Sequence, residues 1–157
     1  MKELTHYLFS TGISFVLLSL AHAMSLGPVV LALWLSLSVN YVIDVLGHAS
    51  RDGRPARTRL THSLFTAPLW GGAVAAASLA VASRAYAPGP GLAGLVLWTA
   101  MGVLVSEEHL FLDGLTQAGV YAWSRRMALA HFRYDNPLLN LGFALLGALL
   151  IAVALGS

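Results

Sequence analysis

Histidine and aspartate recur at a four-residue spacing in two separate segments of the chain. Asp44 precedes His48 by four residues, and His109 precedes Asp113 by the same interval. Because residues four apart lie on one face of an α-helix, each pair could grip a metal ion from a single helix. Imidazole and carboxylate ligands suit divalent transition metals. The pattern therefore predicts a metal site, with zinc as the first expectation and iron or manganese as alternatives.

The composition indicates that these residues belong to a membrane protein. Of the 157 residues, 57% are hydrophobic and only 10% are charged, whereas a soluble domain carries about 25% charged residues. This balance excludes an ordinary cytosolic enzyme, a disordered tail and a basic protein that coats nucleic acid. The chain has no cysteine, which excludes disulfide frameworks, thiolate metal sites and cysteine nucleophiles.

Stretches without charge predict an all-α integral membrane protein, a single helical domain over residues 1–157. From Leu4 to Ile43 there are 40 uncharged residues, interrupted at Gly27-Pro28. A membrane-crossing helix needs about 20 apolar residues, so this stretch is two helices. The first of them is signal-peptide-like, but we expect it to be retained. The five expected spans are residues 4–24, 28–48, 60–83, 92–113 and 137–155, with a turn over residues 84–91.

The segment from Gly114 to Tyr134 is expected to form a short helix in the membrane interface. Trp123, Met127 and Ala130 recur there at helical spacing, with arginines elsewhere on the helical wheel. The predicted architecture is thus a bundle of about five transmembrane helices with one interfacial helix.

The basic residues predict how the bundle is oriented. With a cytoplasmic N-terminus and an outer C-terminus, eight of the nine basic residues lie inside, and Arg84 alone lies outside. A multi-pass protein of the plasma (inner) membrane is expected. The basic balance, +2 with a pI near 9.3, is then a topology signal and requires no nucleic-acid partner. The inner residues are Lys2, Arg51, Arg54, Arg57, Arg59, Arg125, Arg126 and Arg133.

In this topology, six candidate ligands fall at the cytoplasmic ends of four helices. Two begin helices and four end them, although they are spread over more than 100 residues. Ionisable residues in a span are costly and are functional candidates by default. Six ligands exceed the three or four that one zinc ion takes. The pattern is therefore compatible with a site for two ions as well as with a site for one. The six are His6, Asp44, His48, His62, His109 and Asp113.

Three alternative roles for these residues stay open. A histidine or aspartate at a helix end can simply face interfacial water. The two four-residue pairs can be intrahelical hydrogen bonds without a metal. Buried aspartate and histidine also line proton or ion pathways in transporters. His22 and His131 are expected to be surface residues.

Further polar residues near these positions have candidate supporting roles. Glu107 or Glu108 is a candidate general base, and Arg57 or Arg59 is a candidate for holding a phosphate. Five further polar residues are expected to support the site, either next to the ligands or at the start of the final helix, where Asn136 and Asn140 lie. These are Asn40, Thr61, Ser63, Asn136 and Asn140.

Four motifs together resemble a known membrane family. They are Thr5-His6, Asp44 with His48, the run from Arg57 to Ser63, and His109-Leu110-Phe111-Leu112-Asp113. In order and spacing they resemble the YdjM-like (LexA-binding) inner-membrane proteins, described as metal-dependent hydrolases, and a small archaeal membrane family close to them. The resemblance covers nearly the whole chain. Where that family often has His-Arg before Thr-His-Ser, this chain has Arg57-Thr58, and of a D-x-D-like motif it keeps only Asp44.

The resemblance implies a helical membrane protein with a His/Asp metal centre, distantly similar to zinc-dependent phospholipase C. The same six residues become its ligands. The expected function is hydrolysis of a phosphoester or lipid-like substrate at the cytoplasmic face, since a bound metal lowers the pKa of its water toward ~7. Membrane lipid and a small-molecule or lipid substrate are the expected partners. The alternatives are a protein whose metal holds the bundle together, and an ion or metal transporter.

Overall fold

Five helices account for most of the chain in a computed structural model, which describes residues 1–51, 54–85 and 91–157. They are α1 (Glu3–Leu20), α2 (Leu26–Gly47), α3 (Ala67–Ala85), α4 (Leu92–Gly114) and α5 (Pro137–Gly156). The turn expected over residues 84–91 lies largely outside the described residues. The bounds of α2, α4 and α5 agree with the expected spans to within two residues. The start of α5 has a local cause, because Asn136 Oδ1 accepts a hydrogen bond from Leu139 N at 3.0 Å and Pro137 opens the helix.

The helices pack as a bundle with α5 against α1 and α3 against α4, while α2 contacts α1, α3 and α4. Two glycine pairs allow the closest approaches. A Cβ on Gly12 would collide with the carbonyl of Gly147, and a Cβ on Gly71 would collide with that of Gly102. The largest apolar cluster contains Phe15, with Leu35, Leu79, Met101 and Ala154 from the other four helices. Every helix therefore contributes to one core.

The outer surface of the bundle is apolar. α2, α4 and α5 are long and hydrophobic enough to cross a membrane. Leu141, Leu145, Leu149 and Val153 on α5 are each more than half exposed. Apolar surface on this scale is unusual in a soluble monomer and suits a lipid environment. The mostly helical fold, with three helices apolar enough to span, fits a membrane protein.

Two expectations about the connections are wrong. Residues 60–66 form turns and an isolated bridge, and α3 begins only at Ala67. The segment over residues 114–134 contains a hairpin, β3 (Val120–Ala122) antiparallel to β4 (Arg125–Met127), in place of an interfacial helix. Gly119 and Trp123 adopt positive φ angles of 62° and 57°, which a helix does not accommodate.

A second hairpin follows α2. β1 (His48–Arg51) pairs antiparallel with β2 (Arg54–Arg57), and His48 lies opposite Arg57. The last residue of the expected second span therefore belongs to a strand. This hairpin brings Arg57 back to the end of the bundle where α2 and α4 both end.

Candidate metal centre

Three elements meet where α2 and α4 end. α2 contributes Asp44, the turn before α3 contributes His62, and α4 contributes His109 and Asp113. One nitrogen or oxygen from each side chain lies within 4.8 Å of the others. We call these four residues the Asp/His cluster. His62, His109 and Asp113 are buried, and only Asp44 is partly exposed, with 27% of its side chain accessible.

Four nitrogen–oxygen distances within the Asp/His cluster suit a bound metal ion. His109 Nε2 lies 3.4 Å from Asp44 Oδ1 and 3.3 Å from Asp113 Oδ2. His62 Nε2 lies 3.6 Å and 3.5 Å from the same two oxygens. Zinc bonds of about 2.0–2.1 Å give a tetrahedron with edges of about 3.3–3.4 Å. These four nitrogen–oxygen distances are therefore close to four of the six edges around one bound ion, and the other two separations are at most 4.8 Å.

Hydrogen bonds to the other ring nitrogens determine which nitrogen of each histidine faces the cluster. His109 Nδ1 lies 2.8 Å from Asn40 Oδ1. The Asn40 amide group donates to the carbonyl of Ser36 at 2.6 Å, so Oδ1 is the acceptor and Nδ1 carries the proton. Thr61 Oγ1 donates to the carbonyl of Ile43 at 2.7 Å and accepts from His62 Nδ1 at 3.1 Å. In the neutral form of each ring, Nε2 therefore carries a lone pair, as a metal ligand requires.

The atoms that face one another have no hydrogen-bond partner. His62 Nε2, His109 Nε2 and Asp113 Oδ2 are buried without a partner in the described part of the chain. A charge-assisted hydrogen bond would be about 2.7–2.9 Å long, which is shorter than any of the four distances. Lone pairs facing carboxylate oxygens repel each other, and a buried polar group without a partner is costly. A divalent cation among the four atoms removes both costs, so the residues fit a metal ion.

The other oxygen of Asp113 is fully engaged. Oδ1 accepts from Arg57 Nη2 at 2.7 Å and from the Met1 amino group at 2.6 Å. His6 Nε2 lies 3.3 Å from the same oxygen. Arg57 also donates from Nη1 to the carbonyl of Gly119 at 2.8 Å. These contacts orient Asp113 so that Oδ2 faces the cluster. In the structure Arg57 therefore contacts Asp113, whereas the sequence suggested that it would bind a phosphate.

His6 and His48 lie next to the Asp/His cluster without joining its four-atom group. The buried His6 ring stacks on His109, with ring centroids 4.1 Å apart. His48 is 36% exposed, and its Nδ1 lies 2.7 Å from the backbone carbonyl of Asp44. Their roles as ligands stay predictions. His48 and Asp44 together form the exposed side of the site.

Asn140 of α5 holds the beginning of α1 in place, and Asn136 stabilises the start of α5. Asn140 Oδ1 accepts from Lys2 N at 3.0 Å and from Thr5 Oγ1 at 2.8 Å, while Asn136 caps α5. Ser63 Oγ is 3.4 Å from Phe65 N, within its own turn. Of the five expected supporting residues, Asn40 and Thr61 are the two that bond directly to the cluster.

Glu107 and Glu108 are placed on other faces of α4. At 100° per residue they lie 200° and 100° around the helix from His109. Glu107 lines an apolar cavity with Leu110 and Phe111, and both oxygens of the buried Glu108 lack a partner among the described residues. Among the described residues, neither glutamate has a hydrogen bond or ion pair to the Asp/His cluster, so their role as general base stays a prediction.

The remaining candidate residues are exposed. Arg59 lies over the ring of Tyr121, 5.6 Å from its centroid, and its role toward phosphate stays a prediction. His22 and His131 are both exposed, as expected.

Sequence reasoning missed the glycine that makes room for His62. A Cβ on Gly47 would collide with Thr61 Oγ1 and with the His62 ring. Only a glycine at the end of α2 lets the turn before α3 pack against it this closely. The position of Gly47 between Asp44 and His48 is a signal, but nothing in the sequence shows what approaches it.

The chain belongs to the family described as "Protein of unknown function (DUF1286)", whose model matches residues 1–112. The match includes Asp44, His62 and His109 and ends one residue before Asp113. No curated protein and no solved structure matches the chain.

Proposed function

We propose that this member of the DUF1286 family is a membrane-embedded metalloprotein that holds one divalent ion, best matched by zinc, and uses it to hydrolyse a phosphoester or lipid-like ester. The proposal includes the expected placement of the site at the cytoplasmic face of the inner membrane. It is also compatible with the YdjM-like resemblance, which the family match neither contradicts nor establishes.

The observation that carries the metal part of the proposal is the set of opposed, unpartnered atoms in the Asp/His cluster. Nδ1 of each of two histidines bonds to Asn40 or Thr61, which leaves Nε2 of the neutral ring with a lone pair. Two carboxylate oxygens face those lone pairs at 3.3–3.6 Å. Hydrogen bonding alone leaves this arrangement unfavourable, whereas a cation stabilises it.

The hydrolytic part of the proposal is supported by the exposure of one side of the site. Asp44 and His48 are accessible there, while His62, His109 and Asp113 are buried. When bound, a zinc ion would polarise a substrate oxygen or a water molecule. Asn40 and Thr61 keep the imidazoles in the ligating form, and Arg57 keeps Asp113 oriented.

Hydrolysis is tested with full-length protein in detergent, stripped of metal and reloaded with zinc. The probes are a fluorogenic phosphodiester and a fluorogenic long-chain acyl ester. We expect turnover that depends on zinc and is lost in Asp113→Asn. The control variant Asp135→Asn should keep its activity, because the Asp135 carboxylate is outside the cluster and pairs with Arg133 at a distance of 3.0 Å. Zinc-loaded protein that hydrolyses neither probe contradicts the enzymatic part.

A second candidate function is purely structural: the metal ion would hold the helical bundle together without taking part in a reaction. Four protein ligands already complete a tetrahedron, as in structural zinc sites. Two cavities in the described residues are lined by a side of α4 that faces away from His109. Under this alternative the zinc-loaded protein has a higher thermal midpoint than the metal-free protein and hydrolyses neither probe.

A further inference from the structure

A cavity of about 250 Å³ lies between α4 and the β3–β4 hairpin, away from the Asp/His cluster. Leu110 and Phe111 on its wall are 100° and 200° around α4 from His109. The wall is apolar apart from Glu107, so it offers an aliphatic chain a place to bury its surface. The lining residues are Leu64, Glu107, Leu110, Phe111, Val120, Met127 and Leu129.

The strand that borders this cavity also carries two free positive charges. Met127 lines the cavity, and Arg125 and Arg126 precede it in β4 with exposed side chains. In the described ranges neither arginine lies within 4 Å of an acidic group, whereas Arg133 forms an ion pair with Asp135 at 3.0 Å. One short strand thus joins an apolar wall to Arg125 on the same face of the hairpin, with Arg126 next to it on the other face.

Exposed aromatic residues indicate that the hairpin lies at headgroup depth. Trp123, at the turn between β3 and β4, is 74% exposed. Its ring packs edge-on against Phe65 with centroids 4.8 Å apart. Tryptophan and arginine together are typical of the boundary between the acyl chains and the headgroups of a bilayer.

We propose that the cavity and the two arginines of β4 form a binding site for one phospholipid molecule. An acyl chain fills the cavity, and the phosphate accepts hydrogen bonds from Arg125, which lies on the same face of the hairpin as Met127. Arg126 lies on the other face and adds positive charge close to the phosphate. Glu107 Oε1 is buried without a partner in the described part of the chain. Because an acyl chain offers no donor, Glu107 adds nothing to the affinity. The site is separate from the Asp/His cluster and does not depend on a metal.

Binding is measured by native mass spectrometry of the full-length protein in detergent, titrated with dioleoyl phosphatidylglycerol. We expect one lipid per chain. Arg125→Gln/Arg126→Gln should weaken binding about tenfold, since hydrogen bonds to charged groups are worth about that factor or more. Met127→Trp, which fills the cavity, should weaken it similarly, and Leu129→Trp is a second filling variant if Met127→Trp does not fold. Circular dichroism of each variant checks the helical content.

The matched control is Arg133→Gln, which should bind as the wild type does. Glycerol phosphate, which has the phosphate and no chain, should not displace the lipid. The proposal is overturned if Arg133→Gln weakens binding as much as the double variant, or if folded cavity-filling variants bind normally. Displacement by glycerol phosphate would overturn it too, because a free phosphate would then suffice.

Discussion

Replacing Asn40 with leucine should change the protonation of His109 while leaving all four members of the Asp/His cluster in the chain. Asn40 is 1% exposed, and its Oδ1 accepts the Nδ1 proton of His109 at 2.8 Å. Leucine has a similar size but no acceptor. The His109 proton then either stays on Nδ1 without a partner or moves to Nε2, where Asp44 and Asp113 can accept it.

Both outcomes reduce the affinity for metal. An Nδ1 proton without an acceptor costs about 1–3 kcal/mol in the metal-bound state. A proton on Nε2 occupies the lone pair that would bind the ion, and two carboxylate oxygens at 3.3 Å and 3.4 Å stabilise it there. Since about 1.4 kcal/mol corresponds to a factor of ten, we expect zinc binding to weaken about 10- to 100-fold, the range typical of residues that orient metal ligands.

The assay is competition for zinc between the purified protein and a chromophoric chelator. Ser10→Ala is the matched control, because Asn40 Nδ2 donates to Ser10 Oγ at 3.0 Å and this variant removes that bond while leaving Oδ1 in place. Ser10→Ala should bind zinc within about threefold of the wild type. If Asn40→Leu also does so, or if the two variants lose affinity equally, the reasoning about the His109 proton is refuted.

Two glycine substitutions test the packing that builds the site. Gly47→Ala places a Cβ where the His62 ring lies, so we expect zinc affinity in the same competition assay to fall by at least about tenfold. Gly147→Ala places a Cβ against the backbone of Leu8, and such overpacking costs about 1–3 kcal/mol. Its thermal midpoint in detergent should fall, while Gly142→Ala, with open space around its Cβ, should leave the midpoint unchanged. Gly27 also has open space around its Cβ, so Gly27→Ala is the helical control for the α2 variant. Wild-type zinc affinity in Gly47→Ala would show that His62 is not held against α2 as described, and equal midpoints for the two α5 variants would show that α1 and α5 are not in close contact.

The helices are largely predictable from the sequence, and the connections are not. Charge-free length determines where an apolar helix can run, which is why α2, α4 and α5 begin and end near their expected positions. The segment containing Trp123 and Met127 has helical spacing, which predicts a helix. Its hairpin depends on backbone geometry at Gly119 and Trp123, and an arrangement of apolar residues does not encode that geometry.

The candidate site shows the same division between local and long-range information. Four-residue spacing on one helix indicates that His109 and Asp113 share a face, and the spacing of Asn40 from Asp44 places it on the stripe that carries a ligand. The contact of Arg57 with Asp113 joins residues 56 apart in sequence, and the β1–β2 hairpin makes it possible. Such contacts require the folded chain, so sequence alone indicates Arg57 only as a candidate phosphate ligand.

The metal centre is tested most directly by zinc X-ray absorption spectroscopy on purified, zinc-loaded protein, combined with elemental analysis. We expect one zinc per chain with two imidazole nitrogens and two carboxylate oxygens at about 2.0–2.2 Å, and loss of that signal in His109→Ala. A protein that retains no stoichiometric metal after loading, or whose zinc has no imidazole ligands, would contradict the central claim that the Asp/His cluster is a metal centre.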